Sequence, residues 1–256
     1  MAFINKMDIL GANFYGAVEQ IRTRLGKNAI VLQLPIGKED DFQGIIDLFE
    51  MKAYIYNDDK GNDITICDIP EDMKEQAEEY HQKLIESVAE SDEALMEKFF
   101  MEEPFTAEEL QTGIKAGICE RSVTPVFCGC AYTGLGTTNL LANLVKYAPN
   151  PLEGKPMTQV DDEGNESEFK LAPNGSPMAF VFNTLADQYG KNSYFKVISG
   201  DVEDTMTVVN ARTGDSEKLG NMFFPKGKDN TKTSKICCGD IGVFTVSYTH
   251  LTLPTT

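Results

Sequence analysis

The stretch that decides the fold is Phe3-Ile4-Asn5-Lys6-Met7-Asp8, where an apolar run gives way directly to polar residues. Residues 1–4 read as the end of a buried strand. The next segment, 14–25, reads as a helix because its apolar residues recur at spacings of three and four. Ligands of α/β proteins bind where the strands of the sheet end. The polar residues of this turn are therefore candidate binding residues.

Each polar side chain of the turn can make a specific contact with a purine base. Guanine presents adjacent N1–H and N2–H₂ donors on one edge, and the carboxylate of Asp8 offers two acceptor oxygens in matching geometry. Lys6 can lay its methylene stem along the flat base. Asn5 can donate to a ring nitrogen or brace a neighbouring loop. The alternative interpretation is an ordinary polar turn, with Asp8 merely close to the start of a helix.

A second strand followed by a turn lies farther along the chain. Residues 125–128 predict a buried strand, and Gly129-Cys130-Ala131 forms a small-residue turn before a helix expected over 138–148. Such a turn presents backbone N–H groups at the carboxyl edge of a sheet. Small side chains let a base carbonyl approach those groups closely. Alone, this turn is common in α/β proteins.

Local signals predict further elements. Gly26 is expected to end the helix over 14–25, and residues 29–34 read as a short strand. Residues 42–56, rich in Ile, Phe and Tyr, read as one or two further strands. Pro70 opens a long helical stretch to about Met101, and Thr106-Ala107-Glu108-Glu109 fits a capping box at the start of another helix. In the helix over 138–148, one face holds Leu140, Leu141, Leu144, Val145 and Ala148.

Taken together, these segments resemble the translational GTPases, and the elongation factor G family in particular. Asn5-Lys6-Met7-Asp8 is similar to the family's N-K-x-D guanine-specificity motif, and Gly129-Cys130-Ala131 resembles the S-A turn that follows it, with Cys130 where Ser is usual. The resemblance is collinear over residues 1 to 244. It includes the further segments 42–48, 51–53, 186–187, 190–191, 194–200 and 239–242.

The resemblance implies an α/β fold: the C-terminal part of a P-loop GTPase domain with an α+β insertion, followed by an incomplete antiparallel β-barrel domain. The GTPase part is expected over residues 1–150, with the acidic insertion at about 28–121. A linker is expected over 151–176, with a small hairpin around 161–165, and the second domain over 177–246. Residues 247–256 do not resemble the family, and we treat them as a tail of uncertain origin.

The function implied by the resemblance is guanine nucleotide binding, with GTP or GDP, and ribosomal translocation in the intact parent protein. Asn5, Lys6, Asp8, Cys130 and Ala131 would recognise the base. The given sequence contains no phosphate-loop motif G-x-x-x-x-G-K-[ST], since none of its Gly-Lys pairs is followed by Ser or Thr. Catalytic residues and ligands for the parent's Mg²⁺ are therefore not assigned, and we expect chain 1–256 alone to be hydrolytically inactive.

Charge is concentrated in one segment. The chain has a formal net charge of −17, and residues 58–120 hold 19 acidic and 5 basic residues. This segment would repel the phosphates of nucleic acids, so direct sequence-specific DNA binding is not expected. It would favour a basic protein partner. The resemblance implies a stalk protein of the large ribosomal subunit, and the alternative is a solvated surface that keeps the protein soluble.

Other sequence features indicate where in the cell the protein is expected. The six cysteines lack C-x-x-C spacing and are expected to be reduced. No apolar stretch approaches the roughly 20 residues of a membrane span. Without a recognisable export signal, a cytoplasmic location is expected.

Three alternative functions remain open. They are a release-factor-type GTPase, a tetracycline-resistance ribosomal protection GTPase and, from another class, a non-catalytic acidic protein-binding module. The long acidic insertion favours elongation factor G among the GTPases.

Overall fold

The computed structural model describes residues 1–58, 60–90, 93–160, 163–187, 190–211, 213–227 and 229–246. The chain divides into two compact units, Met1–Pro149 and Asn150–Thr256, here called the first and the second unit. Residues 161–162 of the expected hairpin turn and the tail 247–256 lie outside the described residues.

The first unit contains both helices and strands. Its strands are β1 (Ala2–Ile4), β2 (Ala29–Val31), β3 (Gln33–Ile36), β4 (Gly44–Asp47), β5 (Lys52–Tyr56), β6 (Ile64–Cys67) and β7 (Thr124–Cys128). Its helices are α1 (Phe14–Leu25), α2 (Lys74–Ala89), α3 (Glu93–Phe100), α4 (Ala107–Glu120) and α5 (Thr137–Tyr147). The described part of the chain contains no helix long and apolar enough to cross a membrane.

A three-stranded parallel sheet with the order β1-β7-β2 forms the centre of the first unit. Ala2, Phe3 and Ile4 pair with Val126, Phe127 and Cys128, so β1 and β7 end side by side. The residues from Val126 to Cys128 are fully buried. The sheet therefore places the two turns singled out in the sequence at one edge, although more than a hundred residues separate them.

Helix α1 confirms the sequence-based prediction, including its ends. The side chain of Asn13 accepts a hydrogen bond from the backbone N–H of Gly16 at 2.8 Å, which caps the first turn. Gly26 ends the helix in the left-handed conformation, with φ of 58°. Helix α1 thus begins shortly after the end of the 3–8 stretch.

The strand expected over 29–34 is in fact two strands in two different sheets. Strand β2 belongs to the central sheet, whereas β3 starts an antiparallel sheet of order β3-β4-β5-β6. The change takes place at Leu32. Its N–H donates to the carbonyl of Val126 at 3.0 Å, and its carbonyl accepts from the N–H of Leu48 at 3.0 Å. A continuous apolar run does not reveal such a change of partner, because both sheets bury it equally.

The long helical stretch expected from Pro70 to about Met101 is divided into several helical elements. A 3₁₀ turn at Glu71–Met73 leads into α2, and α3 starts only at Glu93. The capping box expected at the start of α4 is confirmed. Thr106 and Glu109 bond each other's backbone N–H groups, and Lys98 of α3 contacts the Glu109 carboxylate at 2.8 Å.

Helix α5 differs from its prediction in the direction of its apolar face. The sequence grouped Leu140, Leu141, Leu144, Val145 and Ala148 on one face of this helix. In the structure Leu140 packs against the core, whereas Leu141, Leu144 and Val145 are exposed. The helix therefore carries apolar residues on two faces, only one of which packs against the first unit.

The second unit is built from strands alone apart from one 3₁₀ turn among its described residues. They are β8 (Met157–Val160), β9 (Glu166–Phe169), β10 (Met178–Asp187), β11 (Gly190–Ser199), β12 (Val202–Glu203), β13 (Thr207–Val209), β14 (Ser216–Lys218), β15 (Met222–Lys226), β16 (Asp229–Thr233), β17 (Lys235–Ile236) and β18 (Ile241–Val246).

These strands form several antiparallel sheets, the largest with the order β10-β11-β18-β15-β16. A small core of Phe195, Val197, Val202, Met222 and Ile236 holds them together. Within the described strands, no sheet closes on itself. The observed class is thus a mixed α/β fold with several antiparallel sheets, and β8 and β9 form the hairpin expected near the start of this unit.

Candidate functional site

The adjacent ends of β1 and β7 form the candidate site. The N–H of Gly129 donates to the carbonyl of Ile4 at 3.1 Å, and the N–H of Met7 donates back to the carbonyl of Gly129 at 3.2 Å. The Met7 side chain is buried, which fixes the middle of the turn. As a result, Asn5 and Ala131 lie within hydrogen-bonding distance of each other.

Asn5 joins the two turns through its side chain. Its Oδ1 accepts from the N–H of Lys6 at 2.8 Å and from the N–H of Ala131 at 2.9 Å. Of the two roles that the sequence left open for Asn5, bracing a neighbouring loop is the one that the structure shows. A base carbonyl that approached the Ala131 N–H would have to share this donor with Asn5.

Lys6 is exposed and has an uncommon backbone conformation. Its φ is 61°, in the left-handed region that non-glycine residues seldom adopt. Residues held in such conformations cost of order 1–3 kcal/mol and cluster at ligand-binding sites. Here the bonds of Asn5 and Met7 on either side hold the backbone of Lys6 in place. The side chain is therefore presented to solvent from a fixed base.

Asp8 supplies an acceptor that the described part of the chain does not use. The residue is half-buried, and its Oδ1 is fully buried with no hydrogen-bond partner among the described residues. Most buried polar atoms in folded proteins have a partner, and an unpaired one costs about 1–3 kcal/mol. A ligand could bring N–H donors to this buried oxygen only after the groups that cover it moved aside, and it would then remove this cost.

Cys130 contributes its backbone rather than its side chain. The thiol side chain is 1% exposed, and the N–H donates to the carbonyl of Leu135 at 2.8 Å, which closes the loop 130–135. In this conformation the Cys130 N–H is therefore occupied within its own loop. Complete burial also raises the pKa of the neighbouring Cys128 thiol, which stays protonated.

The sequence did not predict a contact between helix α5 and the antiparallel sheet β3-β4-β5-β6, here called the inserted sheet, but the structure shows one. The hydroxyl of Tyr56, at the end of β5, donates to Oδ1 of Asn139 in α5 at 3.0 Å. Burial raises the pKa of Tyr56 to about 12, so the hydroxyl keeps its proton and acts as a donor. In the sequence, Tyr56 stands at the end of a segment rich in Ile and Tyr. That composition predicted a strand but no role for the Tyr56 hydroxyl.

A cavity of about 600 Å³ lies beside the candidate site. Its lining includes Met7, Asn13, Tyr15, Lys38 and Glu39. Of residues 3–8, only Met7 contributes to it. The cavity is therefore separate from Asn5, Lys6 and Asp8. In the parts of the chain that the structure describes, no group of three His, Cys, Asp or Glu residues is placed to hold a metal ion.

Comparison with known proteins shows the fold. No protein-family model matches the chain. Among solved structures, it is similar to a crystal structure of a Thermus thermophilus protein of no stated function, with a TM-score of 0.75 and 21% sequence identity. The match covers 98% of this chain and 36% of the other. This chain thus spans little more than a third of the length of that protein, and their likeness is one of fold.

Proposed function

We propose that this chain is part of a translational GTPase resembling elongation factor G, and that the ends of β1 and β7 recognise the guanine base of GTP or GDP. The proposal treats the first unit as the C-terminal part of a P-loop GTPase domain and the second as a partial β-barrel domain. In the intact parent the activity would be GTP hydrolysis coupled to ribosomal translocation in the cytoplasm. Chain 1–256 alone would bind the base without hydrolysing GTP.

The observation that carries the proposal is the buried Oδ1 of Asp8, which has no hydrogen-bond partner among the residues that the structure describes. It lies in a turn whose neighbours are held by hydrogen bonds across the sheet edge. A guanine base has two N–H donors side by side on one edge, which is the complement that a carboxylate requires. Adenine presents a single amino donor beside the N1 acceptor, so one of the two carboxylate oxygens would face a lone pair. The arrangement therefore favours guanine.

The remaining residues would hold the base by packing and by position. The exposed Lys6 side chain would cover one face of the base with its methylene groups. The N–H of Ala131 would share its donor between Asn5 and the base carbonyl, while Cys130 would act by closing the loop that carries Ala131. No catalytic role is assigned to these residues.

The proposal is tested by titrating ¹⁵N-labelled chain 1–256 with GDP and, separately, with ADP. GDP is expected to shift the backbone resonances of Lys6, Asp8 and Ala131, whereas ADP is expected to leave them unchanged at equal concentration. GTP turnover should stay at the background rate. Equal shifts with both nucleotides, or none with GDP, would contradict base recognition. If chain 1–256 hydrolyses GTP and the substitution Asp8→Ala abolishes that hydrolysis, the prediction that this chain is hydrolytically inactive is wrong.

The acidic helices supply a proposed surface for a partner. Glu75, Glu78, Glu79 and Glu86 of α2 are all exposed, and the segment 58–120 has a balance of −14. A surface of this kind attracts basic proteins and accelerates their association. On the resemblance to elongation factor G, the partner would be a stalk protein of the large ribosomal subunit.

Charge reversal on α2 tests whether the acidic surface binds a partner or only keeps the protein in solution. The pair Glu75→Lys and Glu78→Lys is expected to slow association of the parent protein with ribosomes, most clearly at low salt, where charges are least screened. The matched control is the pair Glu166→Lys and Glu168→Lys, which makes the same charge change on exposed residues of β9. Association rates measured by stopped flow decide the question. Equal association rates for the two double variants would mean that the acidic surface of α2 does not contribute to ribosome binding.

A further inference from the structure

The hairpin turn between β5 and β6 touches the loop after β7 through two glycines. Gly61 and Gly134 have φ angles of 65° and 84°, both in the left-handed region. A Cβ atom added to Gly61 would lie 2.6 Å from the carbonyl oxygen of Gly134. One added to Gly134 would lie 2.5 Å from the carbonyl oxygen of Lys60. The two backbones therefore approach each other at a separation that only glycine allows.

The hairpin turn is braced by its own hydrogen bonds. The N–H of Asn57 donates to the carbonyl of Asp63 at 2.9 Å. Oδ1 of Asp58 accepts from the N–H groups of Asn62 and Asp63 at 3.0 and 3.2 Å. A carboxylate that accepts backbone N–H groups in this way fixes a turn locally. These bonds hold the described residues on both sides of Gly61, at 57–58 and 62–63.

The loop on the other side of the contact carries Cys130 and Ala131, two of the five residues proposed to recognise the base. Gly134 lies inside the segment closed by the bond from Cys130 to Leu135, and its carbonyl accepts from the N–H of Thr137 at 3.0 Å. At the start of this segment, the N–H of Ala131 bonds to Asn5. A displacement of Gly134 would therefore be transmitted to Ala131 within one short closed loop.

We infer that the 57–63 hairpin of the inserted sheet positions the base-recognition loop, and that Gly61 and Gly134 are positioning residues for nucleotide binding. The hydrogen bond from Tyr56 to Asn139 provides a second attachment, on the helix that follows the loop. The inference rests on the proposed function for its nucleotide readout. The contact itself is independent of that function.

The test introduces a methyl group on each side of the contact. Gly134→Ala and Gly61→Ala are each expected to weaken GDP binding about tenfold, because the loop must move away from the hairpin. The same variants should shift the Ala131 amide resonance and increase its hydrogen-exchange rate. The matched control is Gly26→Ala. Gly26 has a similar φ of 58°, but an added Cβ there would meet nothing within 4 Å.

Gly26→Ala places a side chain at a positive φ, as the other two substitutions do, but it creates no close contact. A general loss of stability caused by backbone strain would therefore affect all three variants. Wild-type GDP affinity and an unchanged Ala131 amide in Gly134→Ala, relative to Gly26→Ala, would overturn the inference. If the wild-type chain binds no GDP, the proposed function fails. The Ala131 amide shift and exchange rate would then still decide whether the hairpin positions the loop.

Discussion

Replacing Asp8 by Asn is expected to move the base preference of this chain from guanine toward xanthine by about tenfold or more. Xanthine carries a carbonyl oxygen where guanine carries its exocyclic amine. The Asp8 carboxylate would face that oxygen with another acceptor, so xanthine nucleotide should be rejected by the wild type. The Asn amide supplies a donor that can face the xanthine carbonyl. It also removes one of the two acceptors that guanine requires.

The measurement is the ratio of GDP to XDP dissociation constants for wild type and Asp8→Asn, obtained by NMR titration at millimolar nucleotide. Asp40→Asn is the matched control, because it makes the same chemical change on a carboxylate of the same unit that lies outside the 3–8 stretch. The ratio for Asp40→Asn should equal that of the wild type. A ratio that Asp8→Asn leaves unaltered would show that Asp8 does not contact the base, and the 3–8 stretch would then be an ordinary turn.

Replacing Phe127 by Ala is expected to lower the free energy of unfolding of the first unit by about 3–5 kcal/mol. Phe127 lies in the central strand of the parallel sheet, is 0% exposed and pairs with Phe3 of β1. Its removal leaves a cavity beneath the strands whose ends carry the candidate site. Since folded domains are stable by only about 5–15 kcal/mol, the loss should also reduce GDP affinity by populating unfolded forms.

The stability change is measured by urea denaturation followed by far-UV circular dichroism, because the chain contains no Trp for fluorescence. Phe100→Ala is the control, since Phe100 is 77% exposed and its loss should change the stability by no more than about 0.5 kcal/mol. Similar midpoints for the two variants would mean that the central sheet is not the part of the first unit on which its stability depends.

Local signals predicted the elements that depend on a few neighbouring residues. Helix α1 follows from apolar spacing and a Gly stop, and the start of α4 follows from the reciprocal bonds of Thr106 and Glu109. The division of the sequence 29–36 between two sheets was not predicted. It depends on the partners of Leu32, which are distant in the chain, and hydrophobicity alone carries no information about partners.

The same distinction holds for helix α5. Its residues indicated a helix with one apolar face. Which apolar residues pack inward depends on where the rest of the first unit lies, and Leu141 and Val145 of that face are exposed. Helical periodicity defines a face relative to the helix axis. It does not define the direction of that face relative to a core.

The sequence by itself determined which chemical groups the candidate site contains: a carboxylate, a carboxamide, an ammonium group and a small-residue turn that exposes backbone. Only the tertiary structure decided how they are used. The parallel pairing of β1 with β7 made Asn5 a brace for Ala131. The folded chain also leaves Oδ1 of Asp8 without a partner among the described residues and places Gly61 against Gly134. The physical reason is that hydrogen-bond partners and close backbone contacts depend on distances between residues remote in the chain, which residue types alone do not specify.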